Sequence, residues 1–222
     1  MARPKEPQLT SAARQTKPSA ARAETEAAFL DAAERLLIEV GYAGITTRRL
    51  AEEAGANAGL VHYYFGSMEE VFVRALERFT ERLIGRQREM YAADVPFIDK
   101  WRTAMQYLDQ DLAAGYPKVW HELQALGWNR PEIRERVASV NGEWRVVLRE
   151  AFGRALDEYG LDPDRYPLEA IVSLVMTFNV GIELERLSGI HDGHRELLAW
   201  VDSWLEKLED AKEDKDVRRR AH

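Results

Sequence analysis

The chain has 222 residues, 45% of them hydrophobic and 31% charged, enough to bury a sizeable core in one large or two small domains. It contains no Cys, which excludes disulfides, thiolate nucleophiles, thiolate zinc sites and iron–sulfur clusters and fits a reducing compartment. The formal net charge is −7, and it is unevenly spread.

Residues 1–22 carry Arg3, Lys5, Arg14, Lys17 and Arg22 against the single acid Glu6, with prolines and no apolar periodicity near the start. They predict a flexible basic arm over 1–21. Met1–Thr10 is polar and lacks the apolar core of a secretory signal. From residue 22 to about 210 the apolar spacing is helical nearly throughout. Phe29, Ala33, Leu36, Leu37 and Val40 form one stripe, ended by Gly41. Val71, Phe72, Ala75, Leu76, Phe79 and Leu83 form another. Phe97, Trp101, Met105, Leu108 and Leu112 form a third, stopped by Gly115 and Pro117. Val119, Trp120, Leu123 and Leu126 make a short one before Gly127. A long one runs from Ile133 to Ala155, with Pro131 in its first turn and Gly160 after its end. The last two lie over 167–187 and 194–208. Residues 210–222 are almost entirely charged and predict a frayed tail. The apolar run near Ile171–Ile182, broken by Ser173, Thr177 and Asn179, is shorter than the ~20 residues of a membrane span. The expected protein is all-α, with about nine helices, and cytoplasmic, with no membrane partner.

Residues 47–66 read TRRLAEEAGANAGLVHYYFG. Leu50, Ala51 and Ala54 give a short helix its apolar face, and Gly55 ends it where φ > 0 is needed. Asn57 suits the N-cap of a second short helix, with Val61 and Phe65 facing inward. Two short helices joined by a tight Gly-containing turn describe a helix-turn-helix. Ala51 is small where the two helices cross. Ser67-Met68-Glu69-Glu70 is a capping box, so a further helix follows at once. The helix ending at Val40 completes a three-helix core.

Residues 29–76 resemble the TetR family of bacterial transcriptional regulators. The run carries the family's long first helix, the Gly-aromatic pair Gly41-Tyr42, the Thr-Thr-x-x-Leu-Ala-x-x-Ala-Gly stretch at 46–55, the aromatic-aromatic-Phe ending at 63–65 and the Ser-x-Glu-Glu start at 67–70. The resemblance covers about a quarter of the chain; the rest agrees only in length and helical character. It implies a helix-turn-helix DNA-binding domain over 22–66 and a helical effector-binding and dimerisation domain over 67–210, with 211–222 as a charged tail. It also implies double-stranded DNA with a palindromic operator as partner. Asn57, Ala58, Gly59, Leu60, His62 and Tyr63 would then face base edges or backbone, and Thr47 and Arg48 the phosphates. The alternative is that His62, Tyr63 and Tyr64 simply fill the small core. One departure from the family is that residues 56–68 contain no Lys or Arg. Phosphate neutralisation must then come from Arg48, Arg49 and the basic arm.

The body holds all six tryptophans. Helix 167–187 is apolar on more than one side, which requires a partner subunit or a deep position in the bundle. With 194–208 it is the expected homodimer interface, a four-helix bundle across a two-fold axis. An apolar effector pocket is expected from Trp101, Met105, Trp120, His121, Gln124, Trp128, Trp144, Phe178 and Asn179. No cofactor or metal is expected. Three functions compete: a dimeric repressor released by a small apolar ligand, an all-α enzyme, and a DNA-binding protein without an effector. The enzyme has little support, since no phosphate-loop, nucleophile-elbow or HExxH motif occurs. Its only clustered His pair is His191 and His194.

Overall fold

The computed structural model describes residues 20–220. The predicted basic arm lies outside the described residues except for Ala20 and Ala21, which already belong to the first helix, α1 (Ala20–Val40). A single 3₁₀ turn, Tyr42–Gly44, leads into α2 (Thr47–Glu53), α3 (Gly59–Phe65) and α4 (Met68–Ala92). The body continues with α5 (Phe97–Ala114), α6 (Tyr116–Gly127), α7 (Pro131–Tyr159), α8 (Leu168–Leu187) and α9 (His194–Arg220). Nine α-helices and no strand occur among the described residues, as the 3.6-residue apolar spacing predicts.

The helix ends follow their capping chemistry. Thr46 is extended, and its Oγ1 accepts from the Arg49 N–H, opening α2. Ser67 Oγ accepts from the Glu70 N–H and opens α4. Asn57 Oδ1 accepts from the Gly59 N–H at 2.8 Å ahead of α3. The turn between α2 and α3 is made by Gly55 at φ +63°, a conformation that β-carbon crowding makes costly for other residues. Replacing Thr46 with Ala is expected to lower stability by about 1 kcal/mol, typical of a lost cap. The check is the urea midpoint; an unchanged midpoint shows that the Oγ1 bond contributes nothing.

The core has two parts. The first joins Phe29, Leu36, Leu37, Leu50 and Val61 of the N-terminal helices to Phe72, Leu76, Leu123 and Ile133 of α4, α6 and α7. The second fills the far end, around Ile84, Phe97, Trp101, Leu148, Val172 and Leu205. Trp144 packs against both. The boundary at residue 66 is therefore a change of role, not a gap in packing: the three N-terminal helices close their core only on the body.

Over its described residues, 210–220, the charged tail is helical, contrary to the expected fraying. Helix α9 continues through Arg220. The physical reason is partly long-range: Lys212 Nζ donates to Glu158 of α7 at 2.9 Å and to Glu209 at 3.1 Å. The stretch is also rich in Ala, Glu, Lys and Arg, strong helix formers that charge counting alone overlooks.

Candidate nucleic-acid interface and effector cavity

Helix α3 turns Val61 and Phe65 inward, with Val61 fully buried between α2 and α3. The same rotation puts Asn57, Gly59, His62 and Tyr63 on the outside, while Ala58, Leu60 and Tyr64 are half-buried. Tyr63 is 70% exposed, so it does not fill the core. Its ring meets Tyr64 edge-on at 5.0 Å, and the Arg22 guanidinium lies 5.8 Å from the Tyr63 ring centre and 5.4 Å from that of Tyr64. His62 is exposed, with Nδ1 3.0 Å from the Gly66 carbonyl oxygen.

The basic groups around α2 differ in availability. Arg48 Nε donates to Glu52 Oε1 at 2.7 Å, and this hydrogen bond raises the Arg48 pKa above its ordinary value. The two terminal amino groups of Arg48 form no hydrogen bond among the described residues and stay available to a phosphate. Arg49 is exposed and forms no ion pair among the described residues. Thr46, just before the 47–66 window, and Arg22, the first residue after the 1–21 arm, are two residues near this surface that the sequence reading did not single out. The Thr-Thr pair was the available signal for the first.

Behind this surface, α6 holds the end of α1. The Tyr42 N–H donates to Glu122 at 2.6 Å, and Lys118 Nζ donates to the Ile38 carbonyl at 2.9 Å. A β-carbon on Gly41, at φ +72°, would lie 2.6 Å from Glu122 Oε1 and would push that carboxylate off the Tyr42 N–H.

The opposite face of α6 lines a cavity of about 100 Å³ inside the body. Of the residues expected in a pocket, Trp101, Met105, Trp120, Trp144 and Asn179 line it. The others do not. Phe178 turns to the other side of Trp101, with ring centres 6.4 Å apart, and lines a separate apolar groove of about 460 Å³ between α5, α7, α8 and α9. Trp128 is 71% exposed, because α6 ends at Gly127 before the chain can bury it. His121 and Gln124 pair at 3.3 Å outside the lining, and His121 Nε2 lies 3.1 Å from Glu183 Oε2.

The cavity is more polar than expected. Gln87, Asp111, Tyr116, Asn141 and Glu183 also line it. Tyr116 shares a hydrogen bond with Thr80 at 2.9 Å, and burial pushes its phenol up to about 12, so it stays protonated. Burial also raises the Asp111 carboxyl, against the opposing hydrogen bond from Arg86. The i+4 step from Asn179 to Glu183 was a usable signal; Gln87 and Asp111 are single polar residues in apolar stripes.

His194 begins α9, buried, with Nε2 2.5 Å from Glu185 Oε2. Among the described residues no group of three or more His, Cys, Asp or Glu is placed to hold a metal ion. No described helix is long and apolar enough to cross a membrane.

An exposed second helix of a helix-turn-helix, carried on a helical body with its own cavity, defines a helix-turn-helix DNA-binding regulator. Comparison with known proteins sharpens this. Residues 29–75 match the model of the bacterial regulatory proteins, tetR family. An HTH-type transcriptional regulator of Bacillus subtilis, YfiR, is 28% identical over 168 residues, covering 71% of this chain and 77% of its own. The fatty acid degradation regulator FadR from Bacillus halodurans superposes with a TM-score of 0.67 at 17% identity, covering 86% of this chain and 96% of that one. FadR from Bacillus subtilis, in complex with stearoyl-CoA, gives 0.63 at 17% identity, covering 82% and 96%. Residues 29–75 thus form a helix-turn-helix domain of the TetR type, and the chain is a helix-turn-helix DNA-binding transcriptional regulator.

Proposed function

We propose that this protein is a homodimeric, cytoplasmic repressor that holds an inverted-repeat operator and releases it when a small molecule, apolar over most of its surface, enters the body. The observation that carries the reading is the double contact of α6. Tyr116 and Trp120 on one face line the cavity. Lys118 and Glu122 on the other hold Ile38 and Tyr42, immediately before the helix-turn-helix. A molecule that displaces the two aromatic rings moves α6, and with it the end of α1. Such a ligand shifts DNA affinity by its preference between the two states, typically ~1–3 kcal/mol. FadR from Bacillus subtilis was solved with stearoyl-CoA. The 460 Å³ groove of this chain offers an apolar chain a wall.

At the DNA, Asn57, Ala58, Gly59, Leu60, His62 and Tyr63 face the major groove, with Thr47 and Arg48 at the flanking phosphates. Arg49 and Thr46 join the phosphate set on exposure alone. The test is fluorescence anisotropy on a fragment from upstream of the protein's own coding region, with a random duplex as competitor. The double variant H62A/Y63A is expected to bind at least about tenfold more weakly, as loss of hydrogen bonds to charged groups predicts. Unchanged affinity, or no preference for the fragment over the competitor, overturns the assignment.

A further inference from the structure

The inner cavity is walled by aromatic faces and acceptors, not by apolar side chains alone. Tyr91, Trp101, Tyr116, Trp120 and Trp144 supply five aromatic rings, and Asp111 and Glu183 two carboxylates. No Lys, Arg or His lines it among the described residues. Gln87 also lines it; the residue is only 9% exposed, and its Oε1 is buried without a hydrogen-bond partner among the described residues. A buried, unpaired acceptor is costly unless something donates to it.

The charges nearby do not cancel this character. Arg86 reaches Asp111 from outside the lining, at 2.7 Å, and stacks 4.0 Å from the centre of the Tyr107 ring. Asp111 is thereby balanced. Glu183 is 15% exposed and has only His121 beside it, also from outside the lining. Glu183 thus lines a ring-walled space, and no Arg or Lys pairs with it among the described residues. Ring faces carry negative quadrupole density, and they attract a desolvated cation most strongly when several surround it. An anion finds no donor of opposite charge there.

We propose that the cavity takes a compact organic cation, an alkylated ammonium head group with one hydrogen-bond donor close by, a single N–H or a neighbouring hydroxyl, for Gln87, seated among Trp101, Trp120 and Trp144 and facing Glu183. The size agrees. A cavity of roughly 150 Å³ holds a benzene-sized molecule, so about 100 Å³ suits a methylated ammonium head and not a whole nucleotide or coenzyme. Trp101 and Val175 are common walls of this cavity and the apolar groove, so any apolar remainder of the same ligand has a neighbouring surface. The inference rests on the ligand-responsive reading above and adds the ligand's charge.

The test uses the full-length protein and three probes of nearly one shape: choline, the neutral 3,3-dimethylbutan-1-ol and the anionic 3,3-dimethylbutyrate. Affinities come from quenching of tryptophan fluorescence and from thermal shift. Choline is expected to bind at least about tenfold more tightly than the alcohol, and the carboxylate most weakly. Glu183→Gln is expected to remove the preference for choline while leaving the alcohol's affinity alone. Asn179→Asp, which adds a carboxylate to the wall one helical turn from Glu183, is expected to strengthen it, an outcome that a folding defect cannot produce. Equal binding of choline and the alcohol, preference for the carboxylate, or no binding of any probe at millimolar concentration overturns the cationic site. Operator release is measured separately. Choline that binds without loosening DNA keeps the site and refutes the effector reading; a neutral molecule that loosens DNA while choline does not bind does the reverse.

Discussion

Placing a carboxylate at Leu174 and at Trp200 together is expected to convert the protein to a monomer and to weaken binding to a two-half-site duplex by about 10²–10⁴-fold. The sequence of α8 is apolar on several sides, yet within one chain only Val172 and Ile182 are buried. Leu174 and Trp200 are each 69% exposed, and Leu184, Leu187, Leu197 and Trp204 also lie exposed along α8 and α9. Monomers rarely leave so continuous an apolar face to water. In the proposed homodimer a second copy, related by a two-fold axis, covers it with the same face in a four-helix bundle and closes the mouth of the apolar groove. Each large side chain buried there contributes roughly 1.5–3 kcal/mol, so two replaced by unpaired carboxylates remove more than a modest interface supplies. The loss in DNA binding follows from avidity: two heads on one body make the second contact intramolecular. Light scattering after gel filtration is the check, with the mass falling to the 25.5 kDa of a single chain. Circular dichroism separates dissociation from unfolding. A variant that keeps the doubled mass places the dimer contact elsewhere, and a parent protein that already runs at the single-chain mass overturns the dimer.

How far the sequence was legible depended on whether a residue's partner was close in the chain. The helix-turn-helix was readable because each of its determinants is local: Gly55 for the turn, Asn57 and Ser67 for the caps, Val61 and Phe65 for one face of a short helix. The expectation that Tyr63 stands outside that core agrees with its exposure. The Arg48–Glu52 pair is also local, an i,i+4 ion pair on the surface of α2. The pocket was legible in part. Trp101, Trp120, Trp144, Met105 and Asn179 converge on one cavity. Phe178 and Asn179 are neighbours in the chain, and adjacent helical residues point about 100° apart, so they serve different cavities. Trp128 failed because hydrophobicity was read without the helix end that exposes it. The tail failed for the opposite reason: the contacts of Lys212 with α7 are 54 residues away in sequence. The grip of α6 on Tyr42, 80 residues distant, had no signal in one sequence at all.

That grip bears on how the molecule melts. Replacing Phe72 with Ala is expected to cost about 3–5 kcal/mol, the range for deleting a buried aromatic ring. For a chain of this length that lowers the melting temperature by roughly 2–4 °C per kcal/mol. Phe72 is 1% exposed and meets Tyr42 edge-on at 5.4 Å, so its ring joins α4 to the corner between α1 and α2. The same core contains Leu50 and Val61 of the DNA-binding helices and Val119, Leu123 and Ile133 of the body. A head built this way has no separate core to retain when the body loosens. The expectation is therefore a single transition in which the tryptophan signal of the body and an aromatic signal at Tyr63 fall together, in the variant as in the parent, at one fixed protein concentration. Phe72→Leu, which keeps most of the volume, is expected to cost under about 1.5 kcal/mol. A head that melts well before the body, with Phe72→Ala shifting only the first step, contradicts the shared core. It also removes the mechanical basis for passing a displacement of Trp120 to Tyr42, since α6 then holds a domain that moves independently of it.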